Sequence, residues 1–190
     1  MSTMSNKELL VALNGLVSNL GLRDGLGSNE LSQARGLYDN KEYGKCLGVL
    51  KKNFRFSPTI HMFRKKDQKV GTHVVVPEPF PRIGTPAYSK LIVEFHIHYQ
   101  TINISFETFI TAVTHELSHL VLDSIQHHAR RNELAVDMLP LVFGFEDIVK
   151  KGRKVDRDMG HFITQYRGGY FTDSQFAMLY WRIKYLRTMR

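Results

Sequence analysis

The stretch AVTHELSHLVLDSIQHHARRNELAVDMLP, Ala112 to Pro140, decides how this chain is read. It contains H-E-x-x-H, His115 to His119, followed by N-E-x-x-x-D, Asn132 to Asp137. Phe106, Phe109, Ile110, Val113, Leu117, Leu120 and Val121 recur around it at helical spacing. Ser105 is placed to cap this helix, with Glu107 in the first turn. On such a helix His115 and His119 stand one turn apart on one face, within reach of a single ion. Glu116 follows the first imidazole, where its carboxylate can reach a water on the metal without binding the metal itself. The plainer reading is a polar-faced helix that happens to carry histidines. With nine histidines in the chain, the pattern arises in roughly 2% of shuffled sequences, so the surrounding residues must carry the weight.

Two imidazoles hold a metal weakly, and a catalytic zinc normally has three protein ligands and one open position. Glu133 stands near the start of a second helix, expected from about Arg130 to Phe143. Asp137 lies one turn further on the same face. Glu133 can complete the ligand set, and Asp137 can accept the other ring N–H of a ligand histidine, which fixes its tautomer and raises its basicity. DSIQHHARR, Asp123 to Arg131, supplies the turn that brings the second helix back.

H-E-x-x-H followed by N-E-x-x-x-D resembles the gluzincin metallopeptidases, of which thermolysin is the familiar member. The resemblance implies that His115, His119 and Glu133 bind Zn2+, that Glu116 is the general base and that Asp137 orients a ligand histidine. Asn132 matches the residue before the glutamate ligand. Zinc would acidify a water, and Glu116 would take its proton and return it to the leaving amine. The spacing departs from the larger members: thirteen residues separate His119 from Glu133. The likeness covers Val113 to Leu139 and implies a compact zincin with a protein or peptide substrate. Zincins stabilise the oxyanion with a Tyr, His or Arg. His161, Tyr166 and Tyr170 lie downstream, and Tyr170 is the candidate.

Outward from this stretch, the period changes. TIHMFRKK, VGTHVVVPEP and SKLIVEFHIHYQ are expected strands. In the last, Leu91, Val93, Phe95, Ile97 and Tyr99 point one way, and Ile92, Glu94, His96 and His98 point the other, onto an expected solvated face. The zincin plan implies a sheet edge above the active-site helix that binds extended substrate, with LIVEFHIHY as that edge or its neighbour. Upstream, Ser5 and Glu8 have capping-box spacing before a helix over Asn6–Leu20. A helical hairpin turns near Asp39–Asn40, similar to one tetratricopeptide unit, although stable arrays need about three. Gly144 to Gly160 and Thr164 to Ser174 read as irregular or short-helical, and a last helix runs from about Asp173 to Arg187. The order predicts an α+β, zincin-like fold. A small antiparallel sheet packs on the active-site helix, between an N-terminal helical hairpin and C-terminal helices. One domain spans 1–190, with 1–55 as a helical segment and 56–190 as the zincin-like core.

The chain is 43% apolar, enough for a core, without an apolar run long enough to span a membrane. Its opening lacks the features of a secretory signal, and its one cysteine allows no intrachain disulfide; both point to the cytoplasm. The net charge of +8 permits a nucleic-acid partner. The basic clusters Lys150–Lys154 and Arg182–Arg190 are better explained by a solvated face. Cys46 falls at a core spacing, His127 and His128 in an exposed turn, and Tyr180 and Trp181 at expected core positions. Two further readings stand beside the peptidase. One is a basic protein- or nucleic-acid-binding regulatory module with a structural or degenerate zinc site. The other is a metal-free helical protein with a chance motif. Oligomeric state stays open, with the Leu9–Leu20 series able to support a dimer.

Overall fold

The computed structural model describes residues 4–66, 71–158 and 163–190. In chain order its elements are α1 (Asn6–Leu20), α2 (Ser28–Asp39), α3 (Tyr43–Asn53), β1 (Thr59–Lys65), β2 (Thr72–Val75), α4 (Pro86–Ser89), β3 (Ile92–His98), α5 (Tyr99–Ile104), α6 (Phe106–Ser124), α7 (Glu133–Val142), α8 (Glu146–Gly152), β4 (Lys154–Asp158), β5 (Ile163–Arg167) and α9 (Asp173–Thr188). The class is α+β.

The helix carrying H-E-x-x-H is the centre of the core. Phe109, Val113, Leu117 and Leu120 of α6 are fully buried, as are Val136, Leu139 and Val142 of α7. The α2–α3 hairpin packs onto α6 through Tyr38 and Tyr43, whose rings lie 5.4 and 5.6 Å from that of Phe109. Helix α1 begins with the expected capping box between Ser5 and Glu8. Its Leu9, Leu13 and Leu16 are buried in the chain's own core, so the leucine series read as a possible dimer face is used within the molecule. Gly144 (φ 89) turns the chain from α7 to α8. A Cβ there would stand 2.1 Å from the Gly25 nitrogen, so only glycine lets these two backbones meet.

The sheet corrects one expectation. It is mixed, not antiparallel: β3 lies between β1 and β2, parallel to β1 and antiparallel to β2. The most apolar strand takes the middle, where both its edges are paired and Val93, Phe95 and Ile97 are fully buried. The return from β1 through β2 and α4 is long enough for a parallel pairing, which no hairpin connection allows. His96 and His98 also depart from the expected solvated face, since both are buried. His96 stacks on His73 at 4.8 Å and on Phe63 at 5.2 Å and pairs with Glu94 at 2.9 Å, while His98 bonds the Lys66 carbonyl. Tyr99 leaves the strand pattern to begin α5.

The segment after Phe143, read as irregular or short-helical, does form a short helix, α8, but continues into an antiparallel pair, β4 with β5, that was not expected. Trp181 is 66% exposed rather than core, whereas Tyr180 is buried as expected. The basic clusters are partly paired within the fold. Lys154 pairs with Asp173, Lys184 with Asp147 at 2.7 Å, and Arg187 with Glu146 at 3.0 Å. Among the described residues no helix is long and apolar enough to cross a membrane.

Candidate metal centre

Two helix starts place the candidate ligands. Ser105 caps α6 by accepting the Thr108 N–H at 3.0 Å. Asn132 caps α7, its side-chain oxygen accepting from Leu134 and Ala135 at 3.0 and 3.4 Å. The second helix therefore begins at Glu133, three residues later than the periodicity alone suggests, because an asparagine cap competes well with another helical turn. With α7 packed against α6, the Glu133 carboxylate meets both imidazoles. Its Oε2 lies 3.5 Å from His115 Nε2 and 3.4 Å from His119 Nε2. The two rings are 5.0 Å apart and nearly perpendicular, at 81°.

These distances fit a metal. Ligand atoms about 2.05 Å from a tetrahedral zinc stand ~3.3 Å from one another. One atom from each of His115, His119 and Glu133 lies within 4.8 Å of the others. Among the described residues this is the one set of three or more histidine, cysteine or acidic groups that converges so. Two imidazoles, once deprotonated, and a carboxylate form a donor set that zinc and other first-row divalent metals accept. All three side chains are partly exposed, so the site is open on one side.

Asp137 sits behind the site. His115 Nδ1 donates to its Oδ1 at 2.7 Å, which turns Nε2 towards Glu133 and His119. The second oxygen, Oδ2, accepts the Tyr170 backbone N–H at 2.5 Å. Gly169 (φ 90) makes this approach possible, since a Cβ there would already lie 3.0 Å from Oδ2. Arg153 braces the same loop. Its carbonyl accepts from Gly168 N at 2.8 Å, and its guanidinium donates to the Phe171 carbonyl at 2.7 Å and to Asp173 at 3.0 Å.

The charges follow from this packing. Burial is the largest single influence on His115 and pulls its pKa down. The hydrogen bonds to Asp137 and Glu133, with the nearby carboxylate charges, together outweigh it and lift the imidazole to about 10. The His115 bond holds the Glu133 carboxyl below its ordinary range, against burial. Burial and the charges of Glu133, Asp137 and Glu116 push the Tyr170 phenol up, so it keeps its proton.

Glu116 is buried, and its Oε1 accepts the Thr72 hydroxyl at 2.7 Å. Thr72 begins β2, the edge strand, so LIVEFHIHY (β3) is the neighbour of the edge beside α6 rather than that edge itself. The Tyr170 ring stacks on His115 at 6.1 Å and 25°. His161 lies outside the described residues, as does the side chain of Tyr166. His127 and His128 lie in the α6–α7 turn with ring centroids 4.3 Å apart, outside the converging set; His128 is exposed as expected, whereas His127 is half-buried. Cys46 is fully buried, donates to the Ala34 carbonyl and has its thiol pushed up to about 12 by burial. Sequence reasoning missed the Thr72 contact, which has no local signal. It also missed the role of Asn132 as a cap, although an asparagine directly before an acidic, apolar-periodic run is a readable one.

No family model, no curated protein and no solved structure matches the chain. The class of site is therefore defined by its geometry: a candidate three-ligand metal centre with a carboxylate beside it and an aspartate behind it.

Proposed function

We propose that the chain is a zinc-dependent peptidase of the gluzincin type, with a compact zincin-like core and a protein or peptide substrate. The observation that carries this reading is the convergence of His115, His119 and Glu133, with Glu116 adjacent on α6 and Asp137 holding the far side of His115. A structural zinc site needs four ligands and no base, whereas this set has three and an adjacent carboxylate. Zinc, when bound there, supplies a Lewis acid that acidifies water and polarises an amide carbonyl.

The chain's own residues do the rest. Glu116 takes a proton from the attacking water as the new C–O bond forms and hands it to the amine nitrogen as the C–N bond breaks. Thr72 donates to Glu116 and so limits where its carboxylate points. Asp137 keeps the His115 Nε2 lone pair aimed at the ligand set. Tyr170 retains its phenolic proton and donates it in a hydrogen bond to the carbonyl oxygen as charge develops. The edge of β2 can pair with an extended substrate. The single cysteine, buried with a free thiol, is in keeping with a reducing, cytoplasmic setting.

Glu116→Gln tests the reading. The variant should fold and bind one zinc per chain like the parent, while turnover of a substrate trapped from cell extract falls by at least about 10²-fold. Parental turnover by this variant would remove Glu116 as the base.

A further inference from the structure

Beyond His119, between the end of α6 and the segment that follows β2, lies a cavity of about 400 Å³. Residues 76–80 form one wall, and Asp123, Gln126, Arg130 and Arg131 form the other. Its position relative to the metal centre is set by two elements that run together. Asp123 follows His119 by four residues, so it lies on the same face of α6, ~6 Å further along. Strand β2 starts at Thr72, bonded to Glu116, and continues through Val75 into the 76–80 wall. An extended chain lying along β2 passes from the catalytic carboxylate to this cavity.

The chemistry of the wall points to one kind of occupant. The Asp123 side chain is 18% exposed, and its carboxylate accepts no hydrogen bond among the described residues. Its closest cation, Arg130 Nε, stays at 3.6 Å, beyond hydrogen-bond distance, and that guanidinium donates through NH1 to the His127 carbonyl. Arg131 is turned to the rim, where it pairs with Glu78 at 3.1 Å, both side chains 77% exposed. Both arginines are more exposed than Asp123 and each is partly engaged elsewhere, so their charges act on its carboxyl without a hydrogen bond, while burial pushes that carboxyl above its ordinary range. A largely buried carboxylate in that state is costly, and an incoming ammonium or guanidinium relieves it with charge-assisted hydrogen bonds.

We propose that this cavity is a subsite for a basic substrate side chain, lysine or arginine, and that Asp123 selects it. The inference rests on the peptidase reading only for the identity of the occupant as part of the substrate.

The test uses the full chain carrying Glu116→Gln, zinc-loaded, so that peptides bind without being cut. The probes are blocked pentapeptides, Ala-Ala-X-Ala-Ala, with X as arginine, lysine, citrulline or glutamate. Citrulline matches arginine in shape and lacks the charge. Binding is followed by amide chemical shifts, with Gln126 and Phe80 reporting the cavity. The arginine and lysine peptides should bind about tenfold more tightly than the citrulline peptide and move both reporters. Asp123→Asn should bring the arginine and citrulline peptides to within about twofold. Equal binding of arginine and citrulline overturns the proposal, as does tightest binding of the glutamate peptide, which would hand the cavity to Arg130 and Arg131. Should Asp123→Asn not fold, the four-peptide comparison still decides. Selective binding without any cleavage by the parent keeps this subsite and removes the peptidase reading. Equal cleavage of all four peptides does the reverse.

Discussion

Replacing Asp137 with alanine removes two anchors in one step. His115 Nδ1 loses its partner at 2.7 Å, and the Tyr170 N–H loses an acceptor at 2.5 Å. The imidazole is then free to rotate, and Nε2 no longer faces Glu133 and His119 by default. Partners of this kind, which hold a metal-ligating histidine in place, contribute about 10–100-fold in affinity, or ~1.4–2.7 kcal/mol. Because the Asp137 side chain is 10% exposed, little water can take over its role. The assay is a competition titration of zinc against a chromophoric chelator, on the full chain at pH 7. Calorimetry in buffers of different ionisation enthalpy adds a second readout. The metal-free parent holds His115 protonated at pH 7, since its pKa lies at about 10. Zinc uptake should therefore release about one proton, and the affinity should rise up to tenfold per pH unit below that value. In Asp137→Ala the strongest of the raising influences is gone, so fewer protons should be released. A variant with parental affinity and parental proton release would refute the assignment of Asp137.

Further outcomes follow from the same contacts. The His115 shift also makes the metal-free chain pH-sensitive. The folded pKa is raised from 6.5 to about 10, so its stabilisation is complete below pH 6.5 and is lost as pH rises through about 10. The Tm of the metal-free chain should decline over that window, measured by calorimetry, and zinc-loaded chain should not show this decline. Thr72→Val keeps the shape of the side chain and leaves the buried Glu116 carboxylate without its donor, at a cost of about 1–3 kcal/mol in denaturant unfolding and with lower turnover. Phe109→Ala opens a cavity where α6 meets Tyr38 and Tyr43, and should destabilise the chain by about 3–5 kcal/mol in the same assay. An unchanged midpoint would show that the N-terminal hairpin does not depend on this contact.

How much was legible in the sequence differs from element to element. Helix α1 was readable to its ends because its determinants are local: a capping box at Ser5 and Glu8, and leucines at helical spacing. The candidate ligand histidines were readable for the same reason, since four residues on a helix place two side chains on one face. The candidacy of Glu133 and Asp137 also came from spacing, read through a family resemblance. The sequence could not decide whether that face meets this one. The 3.4 Å and 3.5 Å approaches of Glu133 to the two imidazoles depend on how α7 docks on α6, which is set by core side chains such as Leu117 and Val136 and not by the motif. Strand alternation marked β3 and its buried Val93, Phe95 and Ile97, but periodicity carries no direction or neighbour. Only the tertiary structure made the sheet mixed and put β2 at the edge beside Glu116. The same holds for Asp123 and Glu78, which lie on opposite walls of one cavity. Local periodicity and capping are properties of a few adjacent residues and survive in the sequence. Contacts between distant segments depend on how the whole core closes, and they become determinate only in the folded chain.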